Sequence, residues 1–231
     1  YTITILWRKV RMKLSNETIN VLKNFSTINQ NLVIKEGSYI STMSAMKNIV
    51  AKAKVEEVFE KEFAIYDLNE FLSVLSLFGK PDLNFQDNSV LITEEGSSKS
   101  STYWYSDPSV VTTPTKDITM PSNEVTFNLS SDTLSEIIRA ASVIGAPDMV
   151  LENGKLRVTD KKNTTANDYV DELDVPDSDV NYKFWFKTEN LKLLPGSYSV
   201  EVSSKKISKF TNSNVDINYF IALEPESTYD A

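Results

Sequence analysis

The chain has 231 residues, is 41% hydrophobic and 24% charged, and carries a formal charge of −8, which fits one large or two medium globular domains. Bulk acidity argues against coating nucleic acid by net charge, and no apolar run reaches the roughly 20 residues of a membrane helix. Histidine and cysteine are both absent, which excludes imidazole triads, thiol nucleophiles, disulfides and the usual zinc sites and leaves only carboxylate, lysine or magnesium chemistry.

In chain order, residues 1–11, "YTITILWRKVR", stand apart. Their apolar part is too short for a secretory signal, and the basic residues follow it instead of preceding it. Met12 opens "MKLSNET" like a natural start, so residues 1–11 are expected to be an N-terminal extension; the alternative is a genuine first strand. A helix is predicted next, in "LSNETINVLKNF" at 14–25. Ser15 caps it, Glu17 favours its positive end, and Leu14 with Ile19 forms a hydrophobic staple. Ile19, Leu22 and Phe25, with Val21, make the buried stripe. The opposite face, Asn16, Asn20, Lys23 and Thr27, is nearly neutral, where a solvated helix normally mixes charges.

Alternating runs follow: "NLVIK", "SYIST", "NIVAKAKV", then "FAIYDLNEFLSVLSLF" at 63–78, a strand leading into a helix capped by Asp67. "LNFQD", "SVLITEE" and "STYWYSD" complete the first half. Prolines in "SDPSVVTTPTKDITMPSN" (106–123) mark the joint. Beyond it come "EVTFNL", a second capped helix in "LSSDTLSEIIRAASVIG" (129–145), and the strands "DMVLEN" and "KLRVTD". "FWFKTENLKLLPG" at 184–196 again runs from strand to helix, with Thr188 as cap and Pro195-Gly196 as stop. "SYSVEV", "ISKFT" and "VDINYFIAL" close the chain.

The two halves echo each other. Leu129, Ser130, Asp132, Thr133, Leu134 and Ile137 repeat Leu14, Ser15, Glu17, Thr18, Ile19 and Leu22 at a constant offset. Phe184 and Phe186 answer Phe63 and Ile65 at strand period, the longer spacing being taken up in "DYVDELDVPDSD" (168–179). The fold class is therefore α+β: two tandem similar domains, each with two helices packed on antiparallel sheet. The helices show polar stripes with sparse cations, Lys23 in one half and Arg139 amid Ser131, Ser135 and Ser142 in the other. Such faces suit loose, sequence-blind contact with a phosphate backbone; an ordinary solvated face explains the same pattern.

Five blocks carry a family resemblance: "MKLSNETINVLKNFSTIN" (12–29), "AIYDLNEFLSVLSL" (64–77), "STYW" (101–104), "NLKLLPGSYSV" (190–200) and "YFIALEPESTYD" (219–230). In order and content the chain resembles the DNA polymerase sliding clamps of T-even-like bacteriophages, members of the ring-shaped processivity factors. The resemblance implies a first clamp domain at 12–110, an interdomain connector at 111–123 and a second clamp domain at 124–231. It further implies a closed homotrimeric ring that encircles duplex DNA without regard to sequence, with helices lining the channel. The partners implied are the replicative DNA polymerase and a clamp loader ATPase, in the cytoplasm of an infected bacterial host, with no membrane, cofactor, metal or catalysis.

In that frame Lys13, Lys23, Lys80, Arg139 and Lys192 are the DNA-facing candidates. A partner-peptide pocket falls near Ile118, Met120 and Pro121 of the connector, with Tyr219, Ile221, Leu223 and Pro225 of the last strand and tail. Alternation places Tyr219, Ile221 and Leu223 on one face, which fits a pocket wall and fits core packing equally well. Tyr103, Trp104 and Tyr105 are candidates for the subunit interface, since a bare aromatic edge strand is an aggregation hazard; Trp104 fits plain core as well. Two rivals remain: a duplicated β-rich binding or virion structural protein without DNA tethering, and a magnesium or carboxylate enzyme using Asp168, Asp171, Glu172 or Asp174. That acidic run lacks the glycine and terminal glutamate of a calcium loop.

Overall fold

The computed structural model describes residues 11–173, 175 and 180–230, so all of the expected extension but Arg11 lies outside the described residues, as does Asp174. Two units follow from the packing: Tyr1–Ile40 with Val55–Thr113, and Ser41–Lys54 with Pro114–Ala231.

The first unit holds β1 (Arg11–Met12), α1 (Asn16–Ile28), β2 (Leu32–Ile34), parts of β3 (Gly37–Met43) and β4 (Ile49–Phe59), β5 (Phe63–Ile65), α2 (Leu68–Leu75), β6 (Pro81–Phe85), β7 (Ser89–Glu94) and β8 (Ser100–Trp104). One sheet runs β1-β6-β7-β8, all antiparallel, and β2 pairs with β3 and β5. The two helices pack against each other. Val21, Leu22, Phe25 and Ile28 are buried on α1, a gain of about 2 kcal/mol for each such side chain. On α2, Phe71 meets Tyr103 of β8 edge to face, centroids 5.2 Å apart.

The start of α1 is more elaborate than expected. Ser15 Oγ accepts from the Thr18 N–H at 3.1 Å, as a cap should. Ile19, the expected staple, is half-buried, and Thr18 takes the inward place with no exposure. Its hydroxyl and the Ser15 N–H both donate to Glu57 of β4. On β4 the inward positions are Ala51, Ala53, Val55, Glu57 and Phe59, so one acid stands in an apolar row. It holds the helix dipole's positive end and satisfies two donors that burial would otherwise strand.

The second unit contains β9 (Val125–Leu129), α3 (Ser131–Ile144), β10 (Asp148–Glu152), β11 (Lys155–Thr159), β12 (Tyr169–Glu172), β13 (Asn181–Lys187), β14 (Tyr198–Ser203), β15 (Ile207–Asn212), β16 (Ile217–Ala222) and β17 (Thr228–Asp230). One sheet runs β12-β11-β10-β13-β17, and residues 49–53 of β4 begin the order β4-β16-β15-β14-β9. The duplication reaches atomic detail: Ser130 Oγ accepts from the Thr133 N–H at 3.0 Å, and the Ser–Thr hydroxyl pair is 3.0 Å apart at both helix starts. Gly145 ends α3 at φ 65°, a left-handed cap that favours glycine.

The predicted fourth helix is the exception. Residues 188–190 make a single 3-10 turn, and Thr188, the expected cap, instead donates to the Ala146 carbonyl at 2.9 Å. Pro195 disfavours helical geometry at Leu194, leaving room for under two turns, too few to stand alone. Two tyrosines then claim the backbone: Leu194 N–H donates to Tyr219 Oη at 3.1 Å, and Tyr198 Oη donates to the Leu194 carbonyl at 2.6 Å. A Cβ on Gly196 would lie 2.7 Å from the Asn212 amide, so glycine is required where the segment turns into β14.

Candidate nucleic-acid interface

On α1 the solvent-facing positions are Asn16, Glu17, Asn20, Lys23 and Thr27. The same side of α3 presents Asp132, Ser135, Glu136, Ile138, Arg139, Ser142 and Val143. Lys23 and Arg139 are exposed, and among the described residues neither is in an ion pair. Lys80 is also exposed, just beyond α2, with its N–H bonded to Glu94 at 2.8 Å. Lys13 lies 3.7 Å from Asp82, a loose pair that leaves most of the ammonium in water. Lys192 is half-buried in the segment after the 3-10 turn, not on a helix. Of the five candidates, then, Lys23 and Arg139 ride on helices, Lys13 and Lys80 flank them, and Lys192 does neither.

Within the acidic run, Tyr169–Glu172 form a strand. Glu172 of β12 faces Lys155 across the ladder at 3.1 Å, and Asp168, just before β12, lies 3.7 Å from Arg157, so the carboxylates answer the cations of β11. Paired across a ladder, these carboxylates serve register. Among the described residues no cluster of three or more acids could hold a metal ion.

Of the three interface aromatics, Tyr103 is buried, Tyr105 half-buried against Phe63, and Trp104 70% exposed. Strand alternation explains the split: Tyr103 turns onto α2 and its neighbour must turn away. β8 and β12 each end a sheet, and both carry exposed apolar side chains: Trp104 on the first, Tyr169 and Val170 on the second.

Three of the expected docking residues lie inside the fold. Tyr219, Ile221 and Leu223 are enclosed, and burial pushes the Tyr219 hydroxyl well above its ordinary range, so they are core and not a wall. The solvent side of β16 carries Asn218, Phe220 and Ala222. Phe220 lies opposite Val50, two residues from Lys52, which pairs with Asp117 of the connector at 2.7 Å. Ile118 and Met120 are half-exposed, while Pro121 and Pro225 are exposed. The period-2 signal was sound, but nothing local in the sequence says which face meets the helix side.

A buried ion cluster escaped sequence reasoning altogether. Asp148, 1% exposed, accepts from Lys187 Nζ at 2.6 Å and from the Lys161 N–H at 3.1 Å. Lys161 Nζ donates to Glu224 and Glu226, each at 3.2 Å, and sits 5.7 Å above the Trp185 ring. The segment after β16 is thereby tied to β13, where Glu224 N–H donates to the Trp185 carbonyl at 2.8 Å.

Glu124 fixes the end of the connector. Burial works against its charge, but hydrogen bonds from the Ser204 N–H (2.9 Å) and hydroxyl (2.7 Å) and from Ser122 (2.9 Å) outweigh it, holding its pKa at about 2. A carboxylate depressed on folding stabilises above its ordinary pKa and loses that contribution as pH falls through the folded value. Protection of the Ser204 amide against hydrogen exchange should therefore fall between pH 4.5 and about 2. Glu124→Ala should lose that protection already at neutral pH; an unchanged protection factor would remove this tie.

Residues 13–113 match the family described as DNA polymerase processivity factor, and residues 123–225 match gp45 sliding clamp, C terminal. The sliding clamp of Vibrio phage KVP40 is 34% identical over 222 residues, covering 92% of this chain and 99% of that one. The sliding clamp of Escherichia phage RB69 is 30% identical over 239 residues, covering 95% and 100%. The solved complex of the C-terminal region of FEN-1 bound to A. fulgidus PCNA aligns at TM-score 0.69 and 12% identity, over 94% of this chain and 99% of that one, a likeness of fold. Two family matches that tile both halves, and full-length relatives at this identity, place the chain among the phage sliding clamps, the processivity factors of DNA polymerase.

Proposed function

We propose that this chain closes head to tail into a homotrimer around duplex DNA and holds the replicative polymerase there by containment, with no chemistry of its own. The observation that carries this is the pair of helix faces on α1 and α3: capped alike at their N-termini by Ser15 and Ser130, and each presenting one cation, Lys23 or Arg139, that has no ion pair among the described residues. A closed ring cannot leave sideways, so it has no use for a tight grip. Each neutralised phosphate adds affinity and salt dependence, and a bore rich in such contacts would brake sliding. Lys13, Lys80 and Lys192 join this surface at its margins.

Closure uses the two bare edges. β8 of one copy, with Trp104 and the flanking Tyr103 and Tyr105, pairs with β12 of the next, removing both edges by a heterologous contact. Residues 12–110 and 124–231 act as the two clamp domains, with 111–123 as the connector that frames a docking pocket for short partner segments. Its wall is built from Ile118, Met120 and Pro121 together with Phe220, Ala222 and Pro225. A clamp loader ATPase opens the ring in the cytoplasm of the infected bacterium, and the polymerase docks on it.

Solution mass together with DNA retention tests the whole reading. Light scattering at micromolar concentration should give three copies, and rings loaded on circular duplex should be lost when that duplex is linearised. A strictly monomeric mass, or retention after linearisation, would sink it.

A further inference from the structure

We infer that the docking face selects partner segments in which apolar anchors are followed by carboxylates, an inference that rests on the peptide-docking reading above. The floor is apolar and set by register. Phe220 lies opposite Val50 on one side and Lys209 on the other, and Ala222 lies opposite Ile207, so these side chains share the outward face of the sheet. Phe220, Ala222 and Ile207 are each partly open to water.

The rim is not symmetrical. Beside the floor, Lys52 is matched by Asp117 at 2.7 Å and Lys209 by Glu201 at 3.3 Å, so those amines are already neutralised. At the end of β16 the situation differs. The turn before β4 abuts Ala222, whose N–H donates to the Asn48 carbonyl at 2.9 Å, and it carries the exposed Lys47. The β14–β15 turn abuts Leu223, whose N–H donates to the Lys206 carbonyl at 3.0 Å, and it carries the exposed Lys205 and Lys206. Among the described residues no carboxylate lies within ion-pair distance of these three ammonium groups; the Lys206 ammonium donates to the Pro225 carbonyl. Of the nearby acids, Glu224 and Glu226 are paired with Lys161, and Glu124, hydrogen-bonded by Ser204 and Ser122, keeps its charge and offsets part of the lysines'.

An otherwise acidic chain therefore gathers, at one end of an apolar strip, three cations that among the described residues have no direct ion pair and outnumber the single carboxylate of Glu124 at their turn. Phosphates have no use for the strip, and an apolar peptide has no use for the cations. An extended segment with apolar side chains on Phe220 and Ile207 and carboxylates at the lysine end uses both, and complementary charge also speeds encounter and fixes direction. That is a specificity rule for partners, separate from the cations on α1 and α3.

The probe is a short end-capped peptide with phenylalanine and leucine anchors, followed by glutamates, glutamines or lysines in three versions, titrated by fluorescence anisotropy against the intact protein. The glutamate version should bind about tenfold tighter than the glutamine version, ~1.4 kcal/mol, and the lysine version weakest. Lys205→Glu with Lys206→Glu should abolish or reverse that order at unchanged Tm, while Phe220→Ala should weaken every version. Equal binding of the three versions, with Phe220→Ala still weakening them, overturns the charge rule and leaves docking intact. Charge reversal that alters only capture of a duplex oligonucleotide likewise overturns the charge rule alone, and no binding of any version overturns both.

Discussion

Rings built from Lys23→Glu, Arg139→Glu chains should load onto primed circular DNA at least about tenfold less well than wild type at low salt, with unchanged mass and melting temperature. Both side chains are exposed and outside any described ion pair, so the fold has nothing to lose with them. Each substitution replaces attraction to a phosphate by repulsion, and a homotrimer repeats the change in every copy. The salt dependence of loading should flatten as well, since fewer counterions are released per ring. Once a variant ring is closed, its lifetime on circular DNA should match wild type, because escape is governed by the seam. Wild-type loading would remove α1 and α3 from the DNA-facing surface, whereas a shortened lifetime at normal loading would place these residues in closure instead.

Asp148→Ala should strongly destabilise the second unit, costing about 3–5 kcal/mol. The carboxylate is 1% exposed and is the acceptor at the centre of the cluster, with Lys187 2.6 Å away and Lys161 at its edge. Removing it takes away the one close acceptor of the Lys187 ammonium, leaving Glu224 at 3.8 Å, and strips the Lys161 N–H of its partner, while Lys161 Nζ keeps Glu224 and Glu226. At this chain length each kcal/mol is about 2–4 °C, so Tm should drop by roughly 6–20 °C. Asp148→Asn keeps the shape and one acceptor and should cost less. The Asp148 hydrogen bond raises the Lys187 pKa above its ordinary 10.5, against a lesser desolvation effect. A raised lysine contributes its stability below that ordinary value and loses it as pH climbs through the folded one, so the difference between wild type and variant should persist at neutral pH and shrink only in alkali. A thermal shift below about 2 °C at neutral pH would show that the cluster is a bystander.

Much of this protein was legible in one dimension. Ser15 and Ser130 announce their helices because a capping hydroxyl acts on amides only three positions away, and such local chemistry survives any tertiary context. Strand runs from "NLVIK" to "VDINYFIAL" were visible because a half-buried sheet imposes period 2 on its own sequence. The near-neutral face of α1 was visible too, with Lys23 outward as the spacing required.

Tertiary structure decided whatever depends on distant partners. Alternation marks two faces of β16 without ranking them; only packing against Tyr198 and Leu194 put Tyr219 inside and Phe220 outside. The fourth helix had its start and stop signals, yet Tyr198 and Tyr219 offered its backbone better partners than a helix under two turns long. Glu57 left one trace, an acid at an inward position of β4, but its partners Ser15 and Thr18 lie far away in the chain. Asp148, Lys161, Lys187 and Glu224 left no trace, being drawn together from separate segments by the sheet. By itself the sequence determined the duplicated α+β plan, its helix starts and its outward polar stripe, because those rest on short-range hydrogen bonding and periodic burial. Which face became core, and which charges were buried together, rested on long-range packing, since desolvation acts on a side chain only once its neighbours in space are in place.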